Sequence, residues 1–219
     1  MRNNISENIQ SIEARITRAA DRAGRVARDV TLIPVTKSVG EEEARILVEL
    51  GYTHLGENRI DAARPKIEAL GPGVRWHMIG HVQRRKAREV VQLFDRVDSV
   101  DRLELAVALE KHCAASGKTL EVLLQVNVSG EKTKGGFTQE SIQEAFERIR
   151  TLPHLRVQGL MTMAPNTDDP EEARPFVVRL RESAEALGLK ELSMGMTNDF
   201  EVAVEEGATE VRIGTAIFV

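Results

Sequence analysis

Lys37 follows directly on Val30–Val35, a mostly apolar and β-branched run that predicts a buried strand. A lysine at the end of such a strand has two outcomes. It can run past the strand to solvent on its alkyl stem, or it can be drawn inside, where an ammonium ion is costly and the neutral, nucleophilic amine is favoured. A neutral amine captures an aldehyde as a Schiff base. A second set of residues suits an anion. Gly195 and Gly214 permit close backbone approach, and Thr197 and Thr215 add hydroxyls. Asn198 with Glu201 three residues on has the form of a capped helix start, which would leave free amides pointing at a bound group. The same glycines and threonines would also serve simply to turn the chain and cap helices. Arg212 lies two residues before Gly214, on the same face of its strand, and a buried arginine needs an acceptor, either a core carboxylate or a ring nitrogen on a ligand.

These residues must be positioned by regular elements, and the chain alternates between strand and helix patterns with little interruption. Residues 3–24 carry Ile5, Ile9, Ile12 and Ile16, then Ala19 and Ala20, one apolar stripe on a helix that Gly24 can end. Strands are expected at 30–36, 52–55, 76–79, 96–100, 120–128, 155–162, 192–194 and 210–213. Helices are expected at 41–50, 58–70, 82–94, 102–115, 138–151, 171–187 and 198–206, with residues 215–219 finishing the chain. Gly71-Pro72-Gly73, Gly117, Pro153, Pro170, Gly188 and Gly207 punctuate the series. No linker divides it, so a single domain over residues 1–219 is expected. Short apolar strands in repeated strand–helix units imply a parallel sheet buried on both faces, and eight units in 219 residues point to a compact (β/α)₈ barrel with an extra N-terminal helix. A doubly wound open sheet is the alternative, though it would not usually need eight strands.

In such a barrel the loops after the strands carry function, and the loops after strands seven and eight often hold a phosphate. Lys37, the anion site and Arg212 would then share the barrel mouth. An aldehyde bearing a phosphate and an aromatic nitrogen fits all three, and pyridoxal phosphate is such a molecule.

Composition narrows the remaining classes. The net charge of −4 argues against a nucleic-acid partner, as does the scarcity of aromatics beyond Trp76, Tyr52 and six phenylalanines. The basic cluster Arg84, Arg85, Lys86 and Arg88 reads as the polar face of a helix. One cysteine, Cys113, excludes an intrachain disulfide and a Cys-rich metal site, and the five histidines show no paired ligand spacing. No apolar run is long enough to span a bilayer and the N-terminus lacks a signal peptide's apolar core, so a cytoplasmic protein without membrane partners is expected. The N-terminal stripe can dock on the barrel, which makes a monomer the expectation.

The segments PVTK at 34–37, HLGEN at 54–58, WHMIG at 76–80, QVNVSGEKTKGG at 125–136, GLMTMAP at 159–165 and SMGMTNDFEVAVEEGATEVRIGTAIF at 193–218 resemble those of the pyridoxal phosphate homeostasis proteins, relatives of the alanine racemase N-terminal barrel. The resemblance spans nearly the whole chain and implies that barrel, the type III fold of pyridoxal phosphate proteins. It implies Lys37 as the lysine that holds the cofactor as an internal aldimine. Ser193, Gly195, Thr197, Gly214 and Thr215 would surround the phosphate, Arg212 would face the pyridine nitrogen, and Asn58 would lie near the ring. His77 and Met78 would line the pocket floor, or else simply pack in the core. Lys134 matches a second family lysine associated with cofactor transfer, or is a solvated loop lysine beside Lys132. The chain departs from the family's usual pattern at Val39 and Gly40, where a second lysine and a proline are common, and at His81 and Arg85, where proline and asparagine are.

The resemblance leaves a carrier or an enzyme open. A carrier would buffer the cofactor and pass it to apo-enzymes. An amino-acid racemase or lyase would need an acid/base on each face of the substrate carbanion. Lys37 can serve one face, but Tyr52 is expected at the wrong end of the barrel, and related racemases take their tyrosine from a second domain. An arginine at the pyridine nitrogen would also weaken the cofactor as an electron sink. Little or no turnover of amino acids is therefore expected. A phosphate-binding barrel without the cofactor is the remaining reading.

Overall fold

The computed structural model describes residues 1–131 and 134–219; Lys132 and Thr133 lie outside the described residues. Its strands are β1 (Thr31–Pro34), β2 (His54–Glu57), β3 (Arg75–Met78), β4 (Arg96–Val100), β5 (Leu120–Gln125), β6 (Leu155–Met161), β7 (Glu191–Ser193) and β8 (Glu210–Ile213). They form one parallel sheet in the order β1-β8-β7-β6-β5-β4-β3-β2. The two ends of that order meet through a bridge between Val35 and Gly56, where the Thr36 N–H donates to the Gly56 carbonyl at 3.0 Å. The sheet is thus nearly closed into the expected barrel and is not a doubly wound open sheet.

The helices are α1 (Arg2–Arg22), α2 (Glu41–Glu49), α3 (Ile60–Leu70), α4 (Ala87–Leu93), α5 (Leu103–Ser116), α6 (Ile142–Ile149), α7 (Arg174–Leu187), α8 (Phe200–Glu205) and α9 (Thr215–Phe218). The extra helix is where the isoleucine spacing puts it. α1 buries Ile5, Ile9, Ile12, Ile16, Ala19 and Ala20 against α8 and α9. Arg15 and Arg22 pin it further by pairing with Glu201 and Glu205 at 2.8 and 2.6 Å. Burying those four isoleucines stabilises the docked helix by roughly 1.5–3 kcal/mol each, taken as an upper bound. Among the described residues, no helix is long and apolar enough to cross a membrane.

One strand boundary differs with consequence. The stretch expected to end at Leu55 starts later, at His54, and runs through Glu57. A glycine and a glutamate are poor strand residues by propensity. Here Gly56 sits at the seam of the barrel, and the Glu57 carboxylate is satisfied by buried donors described below.

The lower half of the barrel interior is polar. Arg96 donates to both Glu210 oxygens at 2.9 Å each, and to Asp98 at 2.7 Å. His77 Nδ1 stands 3.2 Å from Asp98, and its Nε2 lies 3.0 Å from His54 Nδ1. Burial alone would push Asp98 up, but His77 and Arg96 outweigh it and hold the carboxyl below its usual range. Arg96 is raised in return, because Asp98, Glu210 and Glu191 overcome its own desolvation.

His54 closes this chain of charges at the N-terminal end of the barrel, where burial and then the positive field of His77, Arg75 and Arg96 lower it to about 4. The folded protein therefore keeps His54 neutral where the unfolded chain, with the ordinary value of 6.5, takes up a proton. The resulting stability is whole above that ordinary value and is lost as pH falls from 6.5 toward 4. We expect His54→Gln to flatten the drop in urea midpoint between about pH 7 and about pH 5. An unchanged slope in the variant would assign the acid loss to other groups.

Candidate functional site

A cavity of about 670 Å³ opens where the strands end, and the turns after β1, β2, β3, β5, β6, β7 and β8 supply its wall. Lys37, Asn58, Thr197, Arg212, Gly214 and Thr215 all line it, and so does Lys134.

Lys37 stands in the turn that follows β1, with its side chain exposed at the cavity wall. The burial suggested by its place behind an apolar strand is not found, because the chain leaves the sheet at Thr36. Thr36 is itself fully buried, and its hydroxyl donates to Glu57 Oε1 at 2.6 Å. Lys66, reaching in from α3, is 3% exposed and donates to the same Glu57 oxygen and to the Thr36 carbonyl, both at 2.5 Å. The peptide that carries Lys37 is thereby tied to β2 and α3 while its amine stays open to the cavity. Lys66 went unnoticed in the sequence, although a signal was present. It continues the three-residue spacing of Ile60 and Ala63 along the buried face of α3.

Arg212 is 4% exposed and enters the cavity from β8. It donates to Ser193 Oγ at 2.6 Å and to the Thr162 carbonyl at 2.7 Å. Burial lowers its pKa against the opposing pull of Asp98, Glu210 and Asp199, but a guanidinium stays protonated under such shifts. Its plane is fixed by two bonds, and its remaining donors are free for a ligand.

Thr197, Asn198 and Asp199 form the wall after β7, and Gly214 and Thr215 the wall after β8. The capping box expected from Asn198 and Glu201 does not form. Asp199 takes the cap position of α8 and accepts the Met196 N–H at 2.6 Å. The Asn198 amide turns to Asn166 at 3.3 Å, and Glu201 is drawn to Arg15 of α1. A short buried aspartate can fold back into its own turn, whereas Glu201 has a cation within reach on α1. The amides of Thr215 and Ala216 open α9 and have no intrahelical acceptor.

Four other expected residues stand off the cavity wall. Ser193 acts through Arg212. Gly195, with φ +96°, lets the turn fold onto α8, since a Cβ there would lie 2.7 Å from the Ala203 Cβ. His77 and Met78 are not on the floor of the cavity. Alternation along β3 points His77 at Asp98 inside the barrel, and Met78 joins the apolar core. The part of this chain segment that reaches the cavity is Ile79-Gly80-His81. Gly80 is required there, because a Cβ would fall 2.2 Å from the Asn58 carbonyl oxygen.

Lys134 is brought to the wall by the loop after β5. The Asn127 amide donates to the Glu131 and Lys134 carbonyls at 2.9 and 3.0 Å, and the Lys134 ammonium pairs with Glu131 at 2.5 Å. Gln125, His81, Met163, Pro165 and Asn166 also line the cavity, and none of them is expected as a site residue from the sequence. Gln125 is the last paired residue of β5, and the others share a positional signal, two to five residues past a strand's last paired residue. Tyr52 lies at the other end of the barrel, where its hydroxyl donates to Glu13.

The family model for the alanine racemase N-terminal domain matches residues 8–219. A pyridoxal phosphate homeostasis protein of Aquifex aeolicus is 40% identical, over 98% of this chain and 97% of its own length. A crystal structure of an unknown protein from Bifidobacterium adolescentis superimposes with a TM-score of 0.93 at 33% identity, covering 99% of this chain and 95% of that one. The structure of PipY from Synechococcus elongatus PCC7942 with PLP bound gives a TM-score of 0.86 at 30% identity, covering 98% of this chain and 100% of that one.

The support beneath Lys37 can be tested by breaking it from one side. Lys66→Met leaves the Glu57 carboxylate buried, with Oε2 already without a hydrogen-bond partner. We expect a loss of about 3–5 kcal/mol in urea denaturation, largely recovered in the double variant Lys66→Met/Glu57→Gln, as a double-mutant cycle would measure. Additive losses in the cycle would mean that the two groups do not support each other.

Proposed function

The chain belongs to the pyridoxal phosphate homeostasis proteins of the alanine racemase N-terminal domain family, and on that premise we propose that it binds pyridoxal phosphate on Lys37 and holds the cofactor for transfer, with little or no turnover of amino acids. The observation that carries this reading is the convergence of one amine, one fixed guanidinium and two hydroxyl-bearing turns on a single cavity.

The donor set fits the group chemically. Lys37 Nζ would hold the aldehyde carbon covalently, with the carbonyl oxygen lost as water. Thr197 and Thr215, with the turn at Gly214, offer hydroxyls and backbone to a phosphate between the two turns. Arg212, held by Ser193 and Thr162, offers an N–H to the ring nitrogen. Asn58 lies on the wall between Lys37 and Gly80 and can border the ring. Lys134 lines the same cavity and would be a second amine for the cofactor.

The carrier reading is favoured over racemase or lyase by two features of this chain. An N–H donated by Arg212 keeps the ring nitrogen unprotonated, and the cofactor's power as an electron sink, the chemistry it brings when bound, falls accordingly. Tyr52 is also out of reach of the cavity. We read the whole chain as one cofactor-binding unit, monomeric and cytoplasmic, with apo-enzymes as recipients.

The test is the absorption spectrum of purified protein incubated with pyridoxal phosphate, before and after borohydride. A visible band that reduction fixes onto the peptide containing Lys37, and that is absent in Lys37→Ala, is expected. Incubation of the loaded protein with L-alanine should leave its stereochemistry unchanged within detection. A band in Lys37→Ala equal to the unaltered protein's, or Lys37-dependent racemisation, would overturn the reading.

A further inference from the structure

Five titratable side chains lie in the cavity wall among the described residues: Lys37, His81, Lys134, Asp199 and Arg212. Four of them are committed. Arg212 does not give up its proton near neutrality. Asp199 accepts the Met196 N–H within its own turn. The Lys134 ammonium is paired with Glu131 at 2.5 Å. Lys37 is the nucleophile of the proposed Schiff base.

His81 is placed differently. Its side chain is 62% exposed at the cavity mouth, yet its Nδ1 stands 2.8 Å from Oδ2 of Asp101, a residue just past β4 whose side chain is 5% exposed. Asp101 is itself held. Its other oxygen pairs with Arg102, and Arg102 reaches back to the Val82 carbonyl at 2.8 Å, so the turns after β3 and β4 form one clasp. Gly135, from the loop that carries Lys134, closes on the same carboxylate, with only 3.0 Å between Oδ2 and where a Cβ would stand. A carboxylate fixed in this way selects the tautomer with the proton on Nδ1 and leaves the Nε2 lone pair as the open end of the ring. A solvent-facing imidazole needs no such brace for packing.

We propose that His81 is the proton acceptor for a primary amine that takes the cofactor from Lys37, with Asp101 as its positioning residue. The inference rests on the Schiff-base reading above. An amine reaches the cavity as R–NH3⁺ and cannot attack until a proton leaves. His81 Nε2 takes that proton. The freed amine would add to the carbon joined to Lys37 Nζ, a second proton would pass from the attacking nitrogen to Nζ, the bond from that carbon to Nζ would break, and the imidazolium would return the first proton, so that Lys37 departs as an ammonium and the new imine keeps the one proton the old one carried. One carbon–nitrogen linkage replaces another, with no oxidation or reduction and no water consumed. The substrate class is therefore primary amines, including lysine side chains.

The experiment mixes methylamine with protein loaded to the same fraction in each variant, quenches with borohydride at intervals, and measures the cofactor still fixed on the peptide containing Lys37. His81→Ala and Asp101→Asn should release the cofactor roughly tenfold or more slowly than the unaltered protein, since positioned acid–base groups contribute factors of this order and above. Added imidazole should restore the rate in His81→Ala. Hydroxylamine is unprotonated at neutral pH, so it should release the cofactor at the same rate from all three proteins. Equal rates with methylamine, or slowing by the same factor with hydroxylamine, would overturn the inference while leaving the Schiff base standing. Absence of a band in the unaltered protein would sink both.

Discussion

The seam between β1 and β2 depends on one buried ion pair. Most neighbouring strands share several paired residues, although β7 and β8 share only Ser193 with Glu210; at the seam β1 and β2 share the Val35–Gly56 bridge and the bond from Thr36 to Gly56. Lys66 and Glu57 lock that junction from the α3 side, with Thr36 as the third member of the cluster. Taken alone, a buried ion pair contributes little net stability, because desolvation roughly offsets attraction. Its effect is positional. A buried ammonium with two fixed acceptors tolerates one arrangement of strand ends, and the residue after Thr36 is Lys37.

A second buried network does the corresponding work at Arg212. Glu210 and Arg212 sit two apart on β8, so both point into the barrel. Glu210 is engaged below by Arg96, which also holds Asp98, and Arg212 is engaged above by Ser193 and Thr162. Arg96 takes up the lower carboxylates, and among the described residues Arg212 has no carboxylate within ion-pair distance. A buried arginine bound only to a hydroxyl and a carbonyl retains donors and charge for whatever occupies the cavity. The polar interior thus separates a structural layer from a presenting layer along one strand.

Much of this was legible in the chain. The period of the strand–helix units fixes a barrel, the isoleucine spacing fixes α1, and the residues just past strand ends fix which turns face the cavity. What the sequence hid were satisfactions made at long range. Glu57 reads as a strand breaker until Lys66 is known to lie against it. Asn198 and Glu201 read as a capping box until Asp199 and Arg15 are seen to compete for the same turn. His77 could be a pocket residue or a core one by its motif, and the alternation of β3 turns it toward Asp98. Lys37 could be drawn inside behind its apolar strand or run out to solvent, and it is exposed because the strand ends before it.

That last difference bears on what the site is for. Catalysis on a bound carbanion gains from a closed, dry cavity, in which fixed dipoles replace water. Here the lysine is exposed, Met163 stands 37% exposed at the rim, and a braced histidine faces outward. An open site forfeits the stabilisation that excluding water would give a charged intermediate. It gains access for a second amine, which exchange at an imine requires and a closed racemase cavity would hinder. On the carrier reading proposed above, that openness is the expected design, since a barrel that passes an aldehyde to another nitrogen has to admit that nitrogen.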